Sequence, residues 1–289
     1  MDLTVLGTGV LGKAIAERFL ATQHHVIVYN RTREKTAALA DLGASVAATP
    51  EEAVSSARTL VLVLADDAAI RSVLLNPPVR RNLAGRTVIQ MGTIGAMEST
   101  TLSKEVKAHD GDYLEAPVLG SVAEAKAGSL LIMVGSTPEQ FMRWLPFFQV
   151  LGQDVRHAGP VGTAAILKLA LNQLIAAETT AFGLSLGLIR RAGIPVDTFM
   201  ALLRKSALYA PTFDKKLPRL LERKYEQPNF STRHLLKDLD LILRGAEAAG
   251  LSGDGLRGVR QLLTTAIEQG LADMDYSAVY EAIDRVTPG

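Results

Sequence analysis

A chain of 289 residues has room for one large domain or two ordinary ones, and 48% hydrophobic against 21% charged residues excludes a disordered chain. Thirty-one Lys and Arg against 30 Asp and Glu leave a formal charge of +1, which removes any bulk electrostatic case for nucleic acid or an anionic membrane. The absence of cysteine excludes a disulfide framework, a thiolate metal site and a Cys nucleophile, and it fits a reducing, cytoplasmic setting.

The chain opens on MDLTVLGTGVLG, with an acidic second residue and no basic stretch, so no signal peptide is expected. Leu3–Leu6 is a short β-rich run, followed by a glycine turn and a helical pattern from Gly12 to Ala21. Val26–Tyr29, Thr59–Leu64 and Thr87–Ile89 are further apolar runs, separated by helical segments at Arg33–Leu42, Pro50–Ala57 and Ala96–Lys107. Strands apolar throughout are buried on both faces, which belongs to a parallel sheet flanked by helices. Tyr113–Glu115, Leu130–Val134 and Val155–His157 extend the series. Strand, helix, strand at this spacing predicts a Rossmann-like, doubly wound α/β domain.

After Gly162 the strands stop. Thr163–Ala192, Val196–Lys205, Asp214–Arg223, Ser231–Ala249 and Ser252–Gly270 all read as helices, with breakers between them, and Pro288-Gly289 reads as a frayed tail. Two domains are therefore expected, 1–162 for a cofactor and 163–289 all-α, joined by a long helix. Within that helix Thr163–Ile189 is nearly uncharged, but Lys168, Asn172, Gln173 and Glu178 interrupt it. That reads as a helix buried between domains or subunits rather than a membrane span.

Gly7-Thr8-Gly9-Val10-Leu11-Gly12 is a GxGxxG that follows a β run and opens a helix, the context of a dinucleotide site. Gly7 would permit the tight turn, Gly9 the approach of the pyrophosphate, and Gly12 close packing of helix on strand. The helix N-terminus offers free N–H groups to phosphate. An NAD site usually places Asp or Glu after the second strand; this chain has Asn30-Arg31-Thr32-Arg33. A carboxylate would repel a 2′-phosphate, whereas Arg31 can grip one, with Asn30 and Thr32 as donors. NADP is the expected cofactor, with NAD as the weaker alternative.

Lys168 and Asn172 are four apart and share one face of the long helix, with Leu167, Leu171, Leu174 and Ile175 around them. A Lys and an Asn in apolar surroundings are costly unless paired or functional. Elsewhere, His24 and His25 read as a surface turn, and His157 and His234 lack metal-ligand spacing, so no metal site is expected. No GxSxG is present to support a hydrolase triad. Tyr209, Phe213 and Phe230 either line a cleft or pack in a core.

Together the GxGxxG, Asn30-Arg31-Thr32, Met91-Gly92-Thr93-Ile94, Glu115-Ala116-Pro117-Val118 with Gly120, Gly159-Pro160-Val161-Gly162 leading to Lys168 and Asn172, and Lys237-Asp238 resemble the β-hydroxyacid dehydrogenase family over almost the whole chain. The type is that of 3-hydroxyisobutyrate dehydrogenase and glyoxylate/succinic semialdehyde reductase. The resemblance implies a Rossmann domain and a helical domain of the 6-phosphogluconate dehydrogenase kind, assembled as a homodimer or homotetramer. It gives Lys168 the catalytic role and Asn172 a substrate-orienting one. It puts Thr93, Leu64 and Ala65 near the nicotinamide and its ribose, Lys237 at the cofactor end, and Gly120-Ser121 at the substrate carboxylate. Two positions depart from the family. Leu119 stands where a Ser is usual, with Ser121 as its replacement or as a turn residue, and Gly92-Thr93 stands where Ser-Thr is common.

The activity implied is NADPH-dependent hydride transfer to a small aldehyde acid, or from the corresponding hydroxy acid. An imine reductase is the nearest rival on the same fold, and Lys168 argues against it. A non-catalytic NADP-binding protein is the second rival.

Overall fold

The computed structural model describes residues 1–285; Pro288 and Gly289 lie outside it. The chain forms two compact units, Met1–Lys168 and Leu169–Gly289, considered separately below.

The first unit is built on a nine-stranded sheet. Its strands are β1 (Asp2–Leu6), β2 (His25–Tyr29), β3 (Ser45–Val46), β4 (Thr59–Leu62), β5 (Thr87–Gln90), β6 (Asp112–Glu115), β7 (Val118–Leu119), β8 (Leu131–Gly135) and β9 (Asp154–Gly159). The first six run parallel in the order β3-β2-β1-β4-β5-β6. Each of the central strands is fully buried along most of its length, as their unbroken apolar runs require.

Beyond β6 the sheet is not purely parallel. β8 runs antiparallel to β6 through Glu115↔Gly135 and to β7 through Val118↔Ile132 and Leu119↔Leu131, and β9 pairs with β8 in parallel. β7 resumes the line of β6 after Ala116-Pro117, because Pro117 has no N–H for the ladder while its carbonyl still accepts from Met133 at 3.0 Å. A short helix, Val122–Ala127, suffices for the return, which a parallel crossover would not allow.

Two apolar layers close the sheet. One gathers Ile15 and Phe19 of the Val10–Ala21 helix with Trp144, Phe147 and Phe148 of the Pro138–Gln149 helix; the other gathers Ile70 and Leu74 with Leu102 and Val106. The helices Asp67–Leu74 and Pro138–Gln149 were not among the sequence expectations. Both begin at a side-chain cap, Asp66 and Thr137 respectively. Arg33–Leu42, expected as one helix, is a 3₁₀ turn at Arg33–Thr36 followed by Ala37–Ala40.

The second unit is helical: the remainder of Thr163–Arg191, then Val196–Lys205, Pro211–Glu222, Thr232–Ala248 and Asp254–Ala266, with shorter turns after them. Ser252–Gly270 does not stay α-helical; it passes into a π-helical segment at Ile267–Leu271, where Gly270 takes φ 85°. Phe213 stacks on Phe182 at 4.6 Å in one apolar cluster, and Phe230 meets Tyr276 edge-on in another. Tyr209 donates to Asp214 Oδ2 at 2.6 Å. These three aromatics pack or brace the helical unit. Lys216 and Asp275 form a buried ion pair at 2.8 Å, and burial lowers the lysine pKa. Among the described residues no helix is long and apolar enough to cross a membrane.

Candidate active site

Because β1, β2, β4, β5 and β6 are parallel, the loops that leave their C-terminal ends emerge at one edge of the sheet, where α/β sheets bind ligands. They carry, in turn, Gly7–Gly9, Asn30–Thr32, Leu64–Asp66, Gly92–Thr93 and Ala116–Gly120.

The glycine loop does what its spacing predicts. Gly7 has φ +100°, and a Cβ there would lie 2.4 Å from the Val63 carbonyl oxygen; one at Gly12 would lie 1.9 Å from the carbonyl oxygen of Gly7. A Cβ at Gly9 would meet nothing within 4 Å, so that glycine faces open space. The Val10–Ala21 helix starts at Gly9 with no side-chain cap and no acidic residue in its first turn. An uncapped helix N-terminus beside open space fits a phosphate group.

Asn30 joins this loop to the next. Its Oδ1 accepts from the Thr8 N–H at 3.1 Å and its Nδ2 donates to the Thr32 carbonyl at 2.9 Å. The amide thus fixes the turn that presents Arg31 and Thr32, both exposed. One Nδ2 hydrogen of Asn30 is committed to that turn, and Arg31 and Thr32 face outward. No carboxylate lies between Asn30 and Arg33. The residues present therefore fit a nicotinamide dinucleotide.

Leu64, Ala65 and Gly92-Thr93 lie on two adjoining loops. A Cβ at Gly92 would come 2.5 Å from the Leu64 carbonyl oxygen, which gives a steric reason for glycine where a Ser is common in the family. Leu119 is half-buried at the end of β7, and Gly120 follows with φ +130°. Ser121 donates twice to Glu124 Oε2, through its N–H at 2.7 Å and its hydroxyl at 2.6 Å, and so caps Val122–Ala127.

Lys168 and Asn172 sit one turn apart on the 29-residue helix Thr163–Arg191. In the helical unit Asn172 is 1% exposed and its Nδ2 donates to Asp238 Oδ2 at 2.6 Å. Asp238, equally buried, has its Oδ1 2.8 Å from the Lys237 ammonium. Among the described residues the Oδ1 of Asn172 has no hydrogen-bond partner. A buried acceptor left without a donor is costly, and a bound ligand is one group that can supply the missing hydrogen.

Two acidic residues with clear roles here carried none in the sequence reading. Asp238 orients Asn172 from 66 residues away. Glu115 accepts at Oε1 from the backbone N–H groups of Gly162 at 2.8 Å, Ala164 at 2.8 Å and Ala165 at 3.2 Å, and at Oε2 from the Ser99 hydroxyl. Burial pushes its carboxyl up, and those hydrogen bonds pull against the shift. The available signal was a charged residue closing a strand directly after the apolar pair Tyr113-Leu114.

Known proteins share these features. Residues 2–159 match the NAD-binding domain of 6-phosphogluconate dehydrogenase, and residues 162–283 match the NAD-binding region of NADP-dependent 3-hydroxyisobutyrate dehydrogenase. The chain is 30% identical over 285 residues to glyoxylate/succinic semialdehyde reductase 1 of Arabidopsis thaliana, covering 98% of each. It superposes on 3-hydroxyisobutyrate dehydrogenase of Salmonella typhimurium with a TM-score of 0.87 at 22% identity, over 97% of this chain and 99% of that one. An imine reductase from Myxococcus stipitatus in complex with NADP+ is more distant, with a TM-score of 0.68 at 23% identity over 98% and 100%. The protein belongs to the β-hydroxyacid dehydrogenase family and is an NAD(P)-dependent oxidoreductase.

Proposed function

We propose that the protein is an NADPH-dependent reductase of small aldehyde acids of the glyoxylate and succinic semialdehyde type, able to run in reverse on the hydroxy acid. The observation that carries the reading is Asn172, buried, held by Asp238 and left with a free acceptor one turn from Lys168. The 30% identical reductase supports the substrate class.

Gly9 and the first turn of its helix would hold the pyrophosphate, and Arg31 with Thr32 the 2′-phosphate. The bound cofactor supplies the hydride. Lys168, as ammonium, polarises the substrate carbonyl and gives its proton to the oxygen as negative charge develops there; in oxidation the neutral amine takes that proton back. A positioned acid of this kind contributes about 10²–10⁴-fold. Asn172 orients the substrate through its unpartnered oxygen. Thr93 and the Gly120 backbone, with Leu119 beside them, form the substrate wall, and Leu64 and Ala65 complete the cofactor contacts of the first unit.

The chain acts as a homodimer or homotetramer through the helical half. Leu167, Ala170 and Leu174, and seven residues on Ala181, Leu184 and Leu188, follow helical spacing along the long helix and are all exposed. A second copy of the chain covers that stripe.

One observation favours a second reading. Leu119 is apolar and both Ser121 donors are taken, which weakens carboxylate recognition and favours a less polar carbonyl or a cyclic imine. NADPH turnover on C2–C5 aldehyde acids, matching neutral aldehydes and cyclic imines separates the readings. Turnover of imines alone would reject the first, and tight NADPH binding without any turnover would reject both.

A further inference from the structure

We propose that Glu115 is a positioning residue for Lys168: its buried carboxylate fixes the start of the lysine-bearing helix against the C-terminal edge of the sheet. The proposal rests on the reading of Lys168 as the proton donor.

Glu115 ends β6, the last of the six strands that run parallel from β1. It is 1% exposed, so its placement carries a desolvation cost that a surface cap would not. Its surroundings are shaped to receive it. One oxygen collects three backbone N–H groups from Gly162, Ala164 and Ala165, and the other takes the hydroxyl of Ser99. Ser99 is in turn 2.9 Å from the hydroxyl of Tyr113, two residues back on the same strand. On the paired strand stands Gly135, where a Cβ would lie 2.3 Å from Glu115 Oε1.

The helix is therefore tied to the sheet at its first residues rather than left to fray. Ala164 is one helical turn before Lys168, and the backbone N–H of a helical residue bonds to the carbonyl four positions earlier. Fixing Ala164 and Ala165 fixes the height and rotation of the turn that carries Lys168. Gly162 packs beside Ala96 and Thr100, at the start of the helix that follows the Gly92-Thr93 loop. The same carboxylate thus sets the lysine turn relative to a loop that the proposed function places at the nicotinamide. An ordinary N-terminal cap stabilises a helix; this one also fixes the helix in relation to the catalytic edge.

Three variants test it: Glu115→Ala, Glu115→Gln, which keeps an oxygen for the three N–H groups, and Gly135→Ala, which pushes on that oxygen without touching the residue. The readouts are kcat with glyoxylate or succinic semialdehyde and NADPH affinity by fluorescence titration. Misplacing a catalytic group by about 1 Å costs on the order of 10²-fold. Glu115→Ala and Gly135→Ala should lose kcat on that scale while NADPH affinity stays within roughly threefold, and Glu115→Gln should recover most of the loss. Unchanged kcat in either folded Ala variant overturns the proposal, as does a parallel fall in kcat and NADPH affinity. Combining Glu115→Ala with Lys168→Ala separates this inference from the reading beneath it. If Glu115 acts through Lys168, the double variant matches Lys168→Ala alone. Additive losses reject the positioning role and leave Lys168 standing, and full activity in Lys168→Ala rejects both.

Discussion

Ser121 spends both its N–H and its hydroxyl on the Glu124 carboxylate, three residues ahead on the same turn. With its one hydroxyl proton committed there, Ser121 has none left in this arrangement to offer in place of the hydroxyl absent at Leu119. Small aldehyde acids should be accepted with weak KM values, and Leu119→Ser should lower KM for an acid more than for an uncharged aldehyde of equal length. One neutral hydrogen bond at about 0.5–1.5 kcal/mol sets a several-fold scale. An equal shift for both substrates in steady-state assays would take residue 119 out of contact with the carboxylate.

Arg31 projects from a turn that Asn30 holds by both ends of its amide, with no acid between Asn30 and Arg33 to disfavour a phosphate. NADPH should bind more tightly than NADH, and Arg31→Ala should weaken NADPH selectively. A charge-assisted contact of about 1.5–3 kcal/mol corresponds to roughly 10- to 150-fold in Kd. Titration of both cofactors checks this, since a common loss would mean that Arg31 only shapes the loop.

Lys168→Ala should nearly abolish turnover while leaving NADPH affinity close to normal. Asp238→Ala should also lower kcat, because the Nδ2 of Asn172 loses its acceptor and with it a fixed orientation. Retention of most of the wild-type rate in Lys168→Ala would place the proton donor elsewhere.

The leucine stripe of the long helix predicts an obligate oligomer. Sedimentation at low micromolar concentration should find no active monomer, and Leu184→Glu with Leu188→Glu should dissociate or unfold the assembly, since both side chains are more than half exposed in the single chain. A fully active monomer would contradict it.

Burial raises the Glu115 carboxyl above its ordinary 4.5, so the folded chain keeps that proton to higher pH than the unfolded chain does. The associated stability is complete below that ordinary value and is lost as pH rises through the folded one. Measured by urea midpoints, wild-type stability minus that of Glu115→Gln should therefore decline on going from about pH 4 toward neutrality. A difference that stays flat or grows would show that the hydrogen bonds outweigh burial.

Much of this architecture could be read from residue order. Ala96–Lys107 and Val196–Lys205 have the boundaries that their spacing predicts, because local periodicity and breakers agree there. Asp67–Leu74 and Pro138–Gln149 escaped notice because their identity lies in single capping residues and in burial against a distant sheet. The antiparallel return at β8 rests on one proline that interrupts a strand. At the site, the glycine loop and the basic turn were legible because each is a contiguous motif with its own chemistry. The roles of Asp238 toward Asn172 and of Glu115 toward Gly162 were not, since those partners are separated by 66 and 47 residues and meet only after folding.

The contact between Gly92 and Leu64 constrains how this enzyme can be altered. With the carbonyl of one loop where a side chain on the other would begin, the two loops behave as a single mechanical piece. A serine introduced at position 92 to restore the commoner family pair would act first on Leu64, and its hydroxyl would arrive with that loop, proposed to line the ribose, displaced. Redesign of the substrate pocket therefore has to treat the two loops as one unit and exchange them together.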